Sequence, residues 1–287
     1  MFASFAKFLR RLLPRRLRGG FVPVVGLSGI IGVTTPLRPG LTLAGVSPLL
    51  DKAFGMRGAK AVALVINSPG GSAVQSHLIY TRIRQLSKEK KLPVIAFVED
   101  VAASGGYMIA CAADEIIADA SSIVGSIGVV GASFGFVDAI KKLGIERRIY
   151  TAGEHKAMLD PFKPEDPEDV ARLKALQAEI HSNFIELVKT SRGPRLTGPE
   201  KTLFSGEYWL AGTALSYGLI DRLSDLRSVM KERFGEDVLL PLISPPRGFL
   251  SRFVPGMKMA AALDGGRMTD DIVSTMEARA VWARFGF

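Results

Sequence analysis

The sequence predicts an α/β domain built on a mainly parallel sheet, and three observations predict it. Continuous apolar runs at 61–71 (AVALVINSPGG), 93–100 (PVIAFVED) and 114–119 (DEIIAD) have the composition of strands buried on both faces. Segments with helical spacing, 72–88 and 104–113, lie between them. Strands that alternate with helices in this way form parallel pairs joined by crossovers.

Taken in order, residues 1–20 hold Lys7, Arg10, Arg11, Arg15, Arg16 and Arg18 without an acid, which is most of the net charge of +9. Phe2, Phe5, Phe8, Leu9, Leu12 and Leu13 recur among them at spacings of three and four. That pattern suits a helix lying in an anionic membrane surface. A frayed basic terminus, or an amphipathic leader that is later removed, fits the same residues. The apolar runs are too short for a membrane span, and no later segment supplies one. Residues 22–33 read as a strand and a Gly-punctuated turn. LTLAGVSPLLDKAF (41–54) reads as a helix with Ser47 and Pro48 as cap and first-turn pair. After the core strands, an amphipathic helix is expected over 165–191, opened by the acidic PEDPED, which suits a helix N-terminus. Proline- and glycine-rich joints set 236–287 apart. The expected division is a basic arm at 1–20, the α/β domain at 21–235 and a C-terminal extension at 236–287.

Composition excludes several classes of function. The one cysteine, Cys111, rules out an internal disulfide framework and fits a reducing, cytoplasmic compartment, with peripheral contact at the inner membrane through the arm. With three histidines and neither HExxH nor a paired CxxC, no metal site is expected, and no other cofactor. The basic residues crowd a terminal arm instead of interleaving with aromatics on a folded surface, so nucleic acid is not an expected partner.

Chemistry concentrates at strand ends. In Asn67-Ser68-Pro69-Gly70-Gly71 the double glycine turns the chain sharply and presents bare amides, although such a sequence often serves only as a turn. Ala102-Ala103-Ser104-Gly105-Gly106 also closes a strand, and it places Ser104 where a helix begins. By itself Ser104 fits either an N-cap or a nucleophile. The second Gly-Gly favours the nucleophile, with Gly70 and Gly105 as amide donors to an oxyanion. Among candidate bases, His77, His155 and His181 come without an evident orienting partner. A lysine base needs an apolar, dry site, because shifting an ordinary lysine from about 10.4 to neutrality takes about 4 kcal/mol of differential desolvation. Gly153-Glu154-His155-Lys156-Ala157-Met158-Leu159 offers Lys156 beside apolar neighbours, and Val124-Gly125-Ser126-Ile127-Gly128 offers a serine that can orient an amine. Two S-x-x-K matches, Ser4 to Lys7 and Ser228 to Lys231, lack companion motifs and are chance.

INSPGG (66–71), AASGGYMIACAADEIIAD (102–119), VGSIGV (124–129) and AGEHKAMLDPF (152–162) together resemble the signature segments of the signal peptide peptidase A family, peptidase family S49, in its short single-core form. The resemblance runs from about Val22 to Phe234 and includes LFSGEYWLAGTALSYGLIDRL (203–223). It implies a Clp-protease/crotonase-like fold and a Ser–Lys dyad. It also implies Ser104 as nucleophile, Lys156 as base, Ser126 as the lysine's partner, and Gly70 with Gly105 as oxyanion donors. Hydrophobic peptides such as signal-peptide remnants become the expected substrates. A homo-oligomeric ring or dome becomes the expected assembly, with the lysine crossing between subunits in some members. The chain departs from many members in lacking an N-terminal span, and the 236–287 segment matches nothing in the pattern.

Two rivals stand beside the peptidase. A crotonase-like acyl-CoA enzyme would use paired amides for a thioester enolate but needs no serine nucleophile. A non-catalytic assembly protein at a membrane surface would explain the arm equally. The apolar C-terminus from Trp282 is expected to pack at an interface or hang loose, with occupation of the active-site groove as the sharper alternative.

Overall fold

The computed structural model of the protein describes residues 20–33, 40–244 and 279–286. The basic arm and most of the C-terminal extension lie outside these residues. In chain order the elements are β1 (Val24–Ser28), α1 (Leu43–Phe54), β2 (Val62–Ser68), α2 (Ala73–Lys90), β3 (Val94–Ala103), α3 (Gly105–Ala110), β4 (Glu115–Ala118) and β5 (Ile123–Gly125). They continue with α4 (Val137–Lys142), α5 (Pro167–Arg192), α6 (Glu200–Leu203), β6 (Tyr208–Leu210), α7 (Ala211–Ser216), β7 (Arg222–Leu223) and α8 (Leu226–Phe234).

The strands form one seven-stranded sheet in the order β1-β2-β3-β4-β7. Every pair along that path is parallel. Beyond the end of β4, β5 takes up the far half of β3 in parallel, and β6 pairs β5 antiparallel. The chain is therefore α/β with a mainly parallel sheet, as its sequence predicts.

Period-two alternation divides the strand residues between two apolar layers. Val62, Leu64 and Ile66 of β2, with Val94, Ala96 and Val98 of β3, face a large cluster that includes Leu50, Ile79, Ile83 and Ile109 of the helices. Ala63, Ile95 and Phe97 point the other way, against Val229 and Met230 of α8. Covering both faces is what permits near-continuous apolar strands.

Two element boundaries differ from the sequence expectation. Helix α1 is capped by Thr42, whose Oγ1 accepts from the Gly45 amide at 3.2 Å, so Pro48 sits inside the helix. The buried stripe Val46, Leu50, Ala53 and Phe54 continues on both sides of the proline and holds the helix together there. Strand β3 does not stop at residue 100. It continues through exposed Glu99 and Asp100 to Ala103, because β5 supplies partners for Val101, Ala102 and Ala103.

Residues 236–244 of the C-terminal extension run alongside β1. The Val22 and Val24 amides donate to the Leu239 and Pro241 carbonyls, both at 2.9 Å, and the Ile243 amide returns a bond to Val24 at 2.8 Å. No described helix is long and apolar enough to cross a membrane.

Candidate active site

Three parallel strands end side by side, and the candidate residues follow those ends: Gly70 after β2, Ser104 and Gly105 after β3, and Ser126 after β5. The carboxyl ends of parallel strands are where open α/β sheets bind ligands.

Ser104 joins β3 to α3 with φ 52° and ψ −121°, a backbone region that glycine occupies readily and serine does not. Its position is fixed from both sides. The Ser104 amide donates to the Gly125 carbonyl at 2.8 Å, and its own carbonyl accepts the first helical bond from Met108 at 3.0 Å. The hydroxyl makes no capping bond although Ser104 occupies the N-cap position. A serine placed only to cap a helix would accept from an amide of the first turn through its side-chain oxygen; this one turns a strained backbone and makes no such bond.

The glycines around it are demanded by space. A Cβ on Gly70, whose φ is +104°, would lie 2.8 Å from the Ser104 Cβ and 3.0 Å from the Gly105 nitrogen. On Gly105 it would meet Ser76 Oγ at 2.2 Å, and on Gly106 the Ser68 carbonyl oxygen at 2.5 Å. The Gly105 amide opens α3, where no earlier carbonyl of the helix can accept from it. The Gly70 amide donates to Ser68 Oγ at 3.2 Å, and that hydroxyl donates in turn to the Gly29 carbonyl at 2.7 Å.

Ser104, Gly105 and Ser126 line one cavity of about 460 Å³ together with Gly71. Its walls mix apolar side chains, among them Ile30, Met108, Val129, Val130, Ile180 and Phe184, with polar ones. Ser126 also has a left-handed backbone, φ 54°, and its amide is tied to the Glu207 carbonyl at 2.6 Å. Beneath the site, the Tyr107 hydroxyl donates to the Leu219 carbonyl at 2.7 Å and pins α3 to the loop before β7.

Lys156 stands elsewhere. It is exposed, on a turn closed by its own amide to the Gly153 carbonyl at 3.3 Å, and it does not line the Ser104 cavity. The turn belongs to a lobe formed with 134–147. There the Phe136 amide bonds the Pro161 carbonyl at 2.6 Å, Phe136 and Phe162 rings lie 5.5 Å apart, and Arg147 sits over Phe162 at 4.7 Å. The same lobe exposes Phe134, Leu143, Ile145 and Tyr150.

The histidines sort clearly. His77 stacks near Tyr80, and His155 meets Arg172 at 3.2 Å. His181 lines the Ser104 cavity, with its Nε2 3.0 Å from the Ile127 carbonyl, the residue after Ser126. The sequence shows no orienting partner for His181, and the structure supplies one from a distant segment. The C-terminal turn, for which a place in the active-site groove was the sharper of the sequence expectations, supplies part of the wall: Val281, Arg284 and Phe285 line the cavity as well. Phe285 packs on Val101 and Ala103, the residues leading into Ser104. Among the described residues no cluster of histidine, cysteine and acidic side chains could hold a metal ion.

Comparison with known proteins matches residues 86–235, which include Ser104, Ser126 and Lys156, to the profile of Peptidase family S49. The chain is 54% identical over 286 residues to a Brucella abortus protein named Na(+)/H(+) antiporter NhaA, a match covering 97% of this chain and 39% of that one. It is 35% identical over 192 residues to Protease 4 of Haemophilus influenzae, 65% of this chain and 30% of the relative. It is 34% identical over 168 residues to the chloroplastic serine protease SPPA of Arabidopsis thaliana, 58% of this chain and 24% of the relative. The chain thus spans well under half the length of each of these relatives.

Proposed function

The chain belongs to peptidase family S49, and from that membership we propose that it is a serine endopeptidase cutting apolar peptides, such as signal-peptide remnants, with Ser104 and Lys156 as a dyad. The observation that carries the proposal is the strained Ser104 backbone, which holds a hydroxyl without a capping bond at the wall of the cavity, beside the Gly105 amide. Strain of this kind persists where a fold over-determines it and clusters at reactive sites. A nucleophilic serine at a sharp strand-to-helix turn is a recurrent device for exposing Oγ.

In this reading Ser104 Oγ attacks the scissile carbonyl while the neutral amine of Lys156 takes the hydroxyl proton. The Gly105 amide and one from the Gly70-Gly71 turn hold the oxyanion, Gly70 exchanging its Ser68 partner for the substrate. Lys156 returns the proton to the leaving amine and then draws one from the water that clears the acyl-enzyme. Ser126 accepts from and orients the amine. Because Lys156 is exposed and outside the cavity of its own protomer, it reaches the cavity of a neighbour in a ring or dome, and the exposed apolar residues of its lobe make the contact.

The 1–20 arm is proposed to hold the assembly at an anionic membrane surface. Sodium–proton exchange, named for the Brucella relatives, is not carried over, since the chain corresponds to 39% of their length. The match does place a unit like this one in the same polypeptide as sequence it lacks.

A second reading makes His181 the base, favoured by its place in the Ser104 cavity. Against it, Nε2 is occupied by the Ile127 carbonyl. Hydrolysis of a fluorogenic apolar peptide by wild type, Ser104→Ala, Lys156→Ala and His181→Gln separates the readings. The dyad predicts at least a thousandfold loss for the first two variants and a small change for the third. A dyad completed between subunits further predicts that mixing and reassembling the two inactive variants restores activity. Equal rates in wild type and Ser104→Ala end the peptidase proposal, whereas an inactive His181→Gln beside an active Lys156→Ala transfers the base to His181.

A further inference from the structure

The cavity at Ser104 has a wall that comes from the far end of the chain. Residues 279–283 form a helical turn, and the 284–286 turn after it packs on the sheet at the point where β3 becomes the Ser104 elbow. Its seat is specific. Tyr208 Oη donates to the Arg284 carbonyl at 3.0 Å, the Tyr208 and Phe285 rings lie 5.0 Å apart, and Phe285 is buried against Val101, Ala103 and Ile123.

This seat puts Arg284 in the cavity lining. Among the described residues, the rest of that lining is apolar, glycine or hydroxyl apart from His181, and none of it is acidic. A guanidinium stays charged throughout the working pH range and presents a planar fork that matches a carboxylate. Among the described residues of the lining, it is the one permanent charge against which a ligand's charge is read.

We propose that Arg284, held at the cavity by the Tyr208–Phe285 seat, receives the terminal carboxylate of an apolar peptide, so that the site prefers short peptides with a free C-terminus over internal stretches of a longer chain. The proposal deepens the peptidase reading and rests on it for the meaning of the cavity. Its consequence for substrate class is concrete. Fragments already released by another endopeptidase carry the required carboxylate, whereas an intact polypeptide offers it only at its last residues.

The test uses the full chain with Ser104→Ala, to read binding without turnover, and three labelled apolar hexapeptides that differ only at the C-terminal residue and its end group. One ends in a free acid, one in an amide, and one in an amide with aspartate as its last residue. The free acid is expected to bind about threefold to fivefold more tightly than the plain amide, a magnitude set by the exposure of Arg284. Arg284→Gln should equalise the two without weakening the amide, and Arg284→Lys should retain part of the preference. Equal binding of acid and amide, or a preference that survives Arg284→Gln, overturns the proposal. Tighter binding of the aspartate amide than of the free acid overturns it in favour of a side-chain carboxylate. Hydrolysis by the wild-type chain is measured in parallel. An acid preference without any hydrolysis keeps the subsite and removes the peptidase, and hydrolysis without the preference does the reverse.

Discussion

Replacing Ser104 by glycine should make the protein more stable than replacing it by alanine, although both changes remove the same hydroxyl. At φ 52° and ψ −121° a side chain pays for a conformation that glycine adopts freely. Strain of this kind is worth about 1–3 kcal/mol. Glycine gives back about 0.5–1 kcal/mol through the greater freedom of its unfolded chain. The hydroxyl contributes no capping bond that either variant would lose. The net advantage of Ser104→Gly over Ser104→Ala is therefore about 1 kcal/mol, within a span of about 0–2.5 kcal/mol, and the central value corresponds to about 2–4 °C in melting temperature for a domain of this size. Differential scanning calorimetry of the two variants and wild type at equal concentration measures it, and both variants should be inactive. If Ser104→Gly melts at or below Ser104→Ala, the elbow is not strained, and the argument that strain marks the reactive residue fails.

Two further predictions concern the support beneath the site. Arg192 is fully buried, with two bonds of 2.8 Å to Asp221 and one of 2.9 Å to the Gly218 carbonyl. Asp221→Asn leaves that guanidinium without a counter-charge and should cost about 3 kcal/mol in urea titrations; a loss below 1 kcal/mol would show that the pair is not a structural centre. Burial pushes the Asp221 carboxyl up, but its bonds to Arg192 and to the Ile116 amide outweigh that and hold it below the usual aspartate value. The pair's contribution is then complete above about pH 4 and is lost as pH falls through the lower folded value. Wild type should lose its advantage over Asp221→Asn only in that acid range. Burial pushes the Cys111 thiol up to about 12. A disulfide reagent at pH 8 should therefore label no thiol in the native chain and one after unfolding in guanidinium, and rapid native labelling would mean that the core beneath α3 opens.

The sheet was legible because its signal is local. Runs such as AVALVINS need only be apolar on both faces to declare a buried parallel strand, and the helices between them follow from spacing. Short pairings were not legible. Tyr208–Leu210 is a strand only because Ile123–Gly125 is beside it, and nothing in three residues announces that. The elbow at Ser104 was visible as a serine between a strand and two glycines. Its positive φ was not, since that conformation is imposed by the Gly125 carbonyl and the approach of Gly70 from separate parts of the chain. His181 and Arg284 enter the cavity from 77 and 180 residues beyond Ser104, and no spacing rule connects residues so far apart. The Lys156 segment was readable as a motif, but a motif carries no information about where in space its lysine stands, and the structure holds it on an exposed turn outside the Ser104 cavity.

The strip at 238–243 seals the open side of β1 with backbone bonds from Val22 to Ile243. A sheet margin left bare is a template for other chains, and proteins commonly cover it. Here the cover comes from sequence that follows the last helix of the domain, so the nascent chain emerges with an unprotected flank until that strip is synthesised. Nicks between 245 and 278 would leave the flank shut, while shortening the chain to residue 237 would strip it and expose a margin at which chains stack edge to edge.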